Sequence, residues 1–175
     1  MKHEKNVPDL AAMILRRTRM AESVTGPELA LLQKDVGEWD ATITVTPGPG
    51  APPQASTGRL VGRLISGGRW LITDFKNHTT GFEGHGIYGY NAASKKYVGT
   101  WVDDMRTNLY LGEGDWDADT KTMTYKWSAS MPNGQSMIWT ETSQQVSETE
   151  QLFRVLFPSA EGGEFEMMRA VYRKV

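Results

Sequence analysis

The chain has 175 residues, 19 of them basic and 21 acidic, and contains no cysteine. That length suits one domain with its own buried core, and the absence of cysteine excludes disulfides, thiolate chemistry and cysteine-ligated zinc. Near charge balance leaves no excess positive potential for a phosphate backbone, so nucleic acid is not an expected partner.

The N-terminal stretch MKHEKNVPDLAAMILRRTRM breaks its apolar run at Arg16 and Arg17. This fits neither a signal peptide nor a membrane span and points to a cytoplasmic protein with no membrane contact. Asp9 is placed to cap a helix to about Ser23 with Leu10, Met13, Ile14 and Met20 on one side, and Pro27 to open a second with Leu29, Leu31, Leu32 and Val36 that ends near Gly37. Residues 1–36 therefore read as a helical extension, packed as a lid on residues 37–175 or used as an oligomer contact.

From Trp39 the period changes to two. In WDATITV, Trp39, Ala41, Ile43 and Val45 share one face and Asp40, Thr42 and Thr44 the other, the alternation of a half-buried strand. After the surface loop PGPGAPP come TGRLVGRLI, RWLITDFKN, EGHGIYGY, KYVGTWVD, NLYLGEGDW, KTMTYKWSASM, QSMIWTET, EQLFRVLF and EFEMMRAVYRKV. Turn residues space them as an antiparallel meander of about ten strands. A flat meander would expose one apolar face and two edges, whereas closure into a barrel removes both problems. At about ten strands the interior is too wide for side chains to fill, so a cavity is expected.

Two registers follow from the loops. Asn133-Gly134 predicts a two-residue turn pairing Pro132 with Gln135. Trp127 then faces Thr140, Ala129 faces Ile138, and Lys126 forms an outer ion pair with Glu141. This places Trp139 and Met137 outside, as an apolar patch suited to a homodimer contact. Across the loop Asn91–Ser94, Tyr90 faces Tyr97, Tyr88 faces Gly99 and Gly86 faces Trp101, so large rings lie over residues without side chains and the strands coil.

GEWD at 37–40, GGRWL at 67–71, FEGHGIYGY at 82–90, KKYVGTWVDDM at 95–105 and DADTKTMT at 117–124 resemble the family catalogued as domain of unknown function 1579, from about Leu32 to Lys174. That family is similar to the calycin group of lipocalins, fatty-acid-binding proteins and nitrobindin-like barrels. The resemblance implies an all-β calycin-like barrel closed around a small-molecule cavity. Gly37-Glu38-Trp39 also looks like the lipocalin Gly-x-Trp start, which implies that Trp39 packs against Arg169 or Arg173 of the last strand. The resemblance implies no catalytic residue.

The residues leave three readings open. In the first, the barrel binds a small apolar or aromatic molecule between Trp39, Tyr88, Trp101, Tyr125 and Trp127, with Thr140 as a polar anchor. In the second, His85 and Asp103 handle protons in an isomerase, cyclase or lyase reaction; Glu83 shares the face of His85, and Asp103 shares that of Trp101 and Tyr97. In the third, the barrel is filled and serves as an interaction module. Asp103 reads equally as a turn residue accepting backbone N–H bonds. No metal or cofactor is expected, because His3 and His78 stand at no ligand spacing from His85, and no phosphate loop, HExxH or nucleophile elbow occurs.

Overall fold

The structure, a computed structural model, describes residues 26–131 and 134–175. The helix expected from Asp9, and Pro132 and Asn133 of the hairpin turn, lie outside the described residues. Ten antiparallel strands close in sequence order, the last pairing with the first: β1 (Gly37–Val45), β2 (Gln54–Ile65), β3 (Trp70–Asn77), β4 (Glu83–Asn91), β5 (Lys96–Asp103), β6 (Arg106–Asp117), β7 (Thr122–Ser130), β8 (Ser136–Gln145), β9 (Glu150–Pro158) and β10 (Glu164–Lys174). Closure leaves no unpaired edge. No described helix is long and apolar enough to cross a membrane.

Among the described residues one helix, α1 (Pro27–Lys34), precedes the barrel, opened by Pro27 and ended at Asp35, two residues short of Gly37. It closes one mouth. Leu32 is buried in a cluster with Leu71, Tyr97, Tyr125 and Trp127. The Tyr97 hydroxyl donates to the Glu28 carbonyl at 3.1 Å, and Lys34 Nζ reaches Gln145 Oε1 at 2.7 Å. The end of the helix rests on β2, where a Cβ at Gly62 would stand 2.1 Å from the Asp35 carbonyl oxygen. Only glycine admits that approach.

Pairing on the glycine-rich side follows the sequence register, with Tyr88 opposite Gly99, Gly86 opposite Trp101 and Tyr90 opposite Tyr97. The glycines make room for rings. A Cβ at Gly84 would lie 2.1 Å from Trp101 Cζ2, and one at Gly112 2.8 Å from the Trp127 indole. On β3 the interior face carries Leu71, Thr73, Phe75 and Asn77, and on β10 it carries Tyr172 and Ala170.

The β7–β8 register differs from expectation by one residue. Met131 N–H donates to the Gln135 carbonyl at 2.7 Å, so the loop holds three residues, 132–134, with Gly134 at φ 80°. A left-handed glycine at the third position is the usual closure of a three-residue hairpin loop. Trp127 therefore pairs with Trp139, Ala129 with Met137, Tyr125 with Glu141 and Lys126 with Thr140. Directly paired residues share a face. Met137, Trp139 and Glu141 thus point inward, and Thr140 points outward to Lys126 and Glu164. Neither the Lys126–Glu141 pair nor the outer Trp139–Met137 patch exists. The exposed apolar side chains here are Leu111 and Ile138, each paired with Ser128.

Trp39 packs at the helix end, where its indole N–H donates to the Asp35 carbonyl, and the cation beside it is neither of the arginines that the Gly-x-Trp resemblance implies. Lys174, its partner on β10, holds Nζ 5.2 Å from the ring centroid, while Arg169 and Arg173 pair with Glu166 and Glu150. Alternation along β10 separates the two sets, since Arg173 is one residue from Lys174 and so faces outward.

Candidate functional site

The barrel encloses a cavity of about 990 Å³. Its floor is α1, through Leu31, Leu32 and Asp35, and its opposite end reaches the β3–β4 and β5–β6 turns, through Phe82 and Asp103–Met105. An aromatic wall runs across three strands. Trp127 stacks on Trp139 (6.3 Å between centroids, 11° between planes) and Trp139 on Phe157 (5.9 Å, 16°). Tyr110 meets Trp139 edge-on at 5.6 Å, and Tyr88 meets Tyr125 and Trp127 in the same way at 5.9 and 6.2 Å. Edge-to-face and offset contacts of this kind fix ring positions without solvent.

Of the residues proposed from sequence to hold a ligand, Trp39, Tyr88, Trp101, Tyr125 and Trp127 line this cavity and Thr140 does not. Asp103 also lines it, at the open end, where its Oδ1 accepts the Met105 N–H at 3.1 Å. That carboxylate caps the β5–β6 turn.

His85 lies on the other side of the wall. Its side chain is 54% exposed, and Nδ1 is 2.7 Å from Asp74 Oδ1 on the outer surface. Glu83, on the same face, is ion-paired with Lys76, whose hydrogen bond and charge hold the Glu83 carboxyl below its ordinary range. His85 pairs with Val102, and Asp103 is the next residue along β5. The two side chains therefore point to opposite faces and cannot form a proton-handling pair. The described residues also contain no group of three or more potential metal ligands.

The group that sequence reasoning missed is Glu141. It sits mid-strand on β8, between Tyr125 of β7 and Val155 of β9, and lines the cavity. Its carboxyl has no hydrogen bond or charge partner among the described residues. Burial away from bulk water pushes its pKa from 4.5 up to about 8, because a low-dielectric site disfavours the charged form. Three phenols feel its field. Burial raises the pKa of Tyr88, Tyr125 and Tyr172, and the Glu141 charge raises each further.

A second interior carboxyl, Asp35, is accounted for structurally. Gln151 Nε2 donates to its Oδ1 at 2.6 Å and ties the end of α1 to β9. Burial raises the Asp35 pKa to about 6, against the lowering effects of Gln151, Lys34 and Lys174. Its carbonyl accepts the Trp39 indole N–H at 3.3 Å. Asp35 thus holds the floor, and Glu141 stands alone above it.

A family model described as "Protein of unknown function (DUF1579)" matches residues 25–174. Among solved structures, Rv2717c from M. tuberculosis is similar over 86% of this chain and 98% of its own, at 11% identity and a TM-score of 0.59, which is a likeness of fold. A redesigned β-barrel matches at 16% identity over 85% of this chain and 95% of its own, with a TM-score of 0.36. A DUF3598-family protein from Nostoc punctiforme matches at 7% identity over 86% and 100%, with a TM-score of 0.27. No curated protein matches.

Proposed function

The chain belongs to the DUF1579 family, and from that premise we propose that it binds a small hydrophobic or aromatic molecule in its central cavity, as a calycin-like carrier or sensor. One observation carries the reading: a cavity of about 990 Å³, floored by α1 and walled by the Trp127–Trp139–Phe157 stack. A volume of this order is at the upper end for ligand sites, which run to roughly 1,000 Å³ and combine apolar walls with few polar groups. A filled barrel would leave no such space. The acid–base enzyme built on His85 and Asp103 finds no support, because the wall of the barrel separates them.

Native mass spectrometry of the full chain purified from expressing cells tests the reading. A co-purified small molecule, or saturable quenching of tryptophan fluorescence by hydrophobic probes, is the expected result. A protein that carries nothing and quenches with no probe would overturn it.

A further inference from the structure

We infer that the ligand carries a basic nitrogen, whose ammonium is held at Glu141 beside Tyr125, while the Trp127–Trp139–Phe157 wall takes its apolar body. The inference rests on the small-molecule reading above and names the chemical class that the cavity accepts.

The charge of the lining is one-sided. Among the described residues it contains four carboxyls, Asp35, Asp103, Asp104 and Glu141, and no lysine, arginine or histidine. Three cations act on lining residues without lining the cavity themselves: Lys174 beneath Trp39 and Lys34 over Trp116, both of which also act on Asp35, and Arg106 on Tyr110. A carboxylate or phosphate ligand would enter among these carboxyls and find no cation in the lining itself to pair with. A cation meets the opposite situation, drawn first to Asp103 and Asp104 at the mouth and then to the faces of indole and phenol rings.

Within that set Glu141 alone is both turned to the interior and without a partner. Asp35 is bonded to Gln151, Asp103 caps its turn and Asp104 lies exposed at the rim. The groups that face Glu141 are neutral or acidic on every side: Tyr125 from β7, Tyr88 from β4, Tyr172 from β10, Val155 from β9, and Asp35 from the floor acting on the same Tyr125. Glu141 is half-buried at the cavity wall and shielded from bulk water, where a carboxyl without a partner costs stability, and a ligand that supplies the missing donor recovers that cost. With its pKa near 8, Glu141 is mostly protonated in the empty barrel at neutral pH. An incoming ammonium then displaces one proton to solvent and forms the ion pair.

The experiment compares three isosteres, 1-naphthylmethylamine, 1-naphthylmethanol and 1-naphthoate, on the full chain and on Glu141→Gln. Affinities come from tryptophan fluorescence and from calorimetry in two buffers of different ionisation enthalpy. The amine is expected to bind at least about tenfold tighter than the alcohol, the acid weakest, and Glu141→Gln to lose the amine preference while keeping alcohol affinity. In the wild type, which needs no variant to fold, amine binding should release about one proton near pH 7 and strengthen roughly tenfold for each unit that the pH rises toward about 8. An alcohol that binds as tightly as the amine, or an amine preference that survives in Glu141→Gln or comes without proton release, would overturn the inference and leave small-molecule binding standing. If none of the three binds, the inference is overturned, while the small-molecule reading stands or falls by the co-purified ligand and the wider set of probes.

Discussion

Glu141→Gln in the ligand-free protein should alter the pH dependence of stability in a way no surface mutation would. The unfolded chain ionises Glu141 near 4.5, whereas the folded chain holds the proton to about 8. Between those values the folded state binds more protons than the unfolded one, so the contribution of this residue to stability is complete below the lower value and is lost as pH rises through the upper. At ~1.4 kcal/mol for each pH unit, the full loss is at most about 5 kcal/mol. Water that enters a cavity of 990 Å³ hydrates the carboxylate and reduces it, to about 2–5 kcal/mol in practice. Glutamine keeps the shape and cannot ionise. Urea unfolding of both proteins between about pH 5 and pH 9 reads the difference directly, since titrations common to both cancel. The variant should gain on the wild type steadily to about pH 8 and hold its advantage above that. A gap that stays constant across the range would mean that Glu141 ionises in the fold much as it does in the unfolded chain, and the cavity would then be too wet for the burial argument.

Other outcomes follow from the same geometry. Leu32→Ala, which removes the buried anchor of α1, should cost about 2–4 kcal/mol in urea unfolding. Gly62→Ala drives a methyl into the Asp35 backbone; it should cost about 2–3 kcal/mol and raise amide exchange across Pro27–Lys34. Gly112→Ala presses on the Trp127 indole and should weaken probe binding more than it lowers stability. His85→Ala breaks only an exposed pair with Asp74, so stability should change by less than about 1 kcal/mol and probe affinity should not change.

The sequence carries the wall of this barrel well and its contents less well. Strand positions followed from alternation, because each strand has one buried face. Trp39, Ala41 and Ile43, and likewise Tyr125, Trp127 and Ala129, are buried where the pattern places them. The aromatic–glycine pairs of β4 and β5 were legible for a steric reason: a ring needs a neighbour without a side chain, and the Trp101 ring takes the space at Gly84 while Tyr88 takes that at Gly86. The separation of His85 from Asp103 was also readable, since Gly86 opposite Trp101 already places His85 and Asp103 on opposite faces. The lysine over Trp39 was not, because alternation at the end of β10 decides between Lys174 and Arg173 and depends on a register that no short motif specifies.

The β7–β8 hairpin decided what could be seen of the site. A two-residue turn at Asn133-Gly134 and the three-residue loop that forms differ by one position, and one position exchanges the two faces of β8. The shorter loop buries Ile138 and Thr140 and leaves Glu141 outside beside Lys126, which satisfies every rule about charge. The longer loop buries Met137 and Trp139, two large apolar side chains instead of one, but it also buries a carboxyl with no partner. Pattern reasoning penalises that carboxyl and so favours the wrong register. The fold tolerates it because Glu141 looks into a cavity and not into packed side chains. On the proposed reading the pattern breaks for a reason, since a barrel that takes up a ligand with a polar group needs one interior position that departs from it.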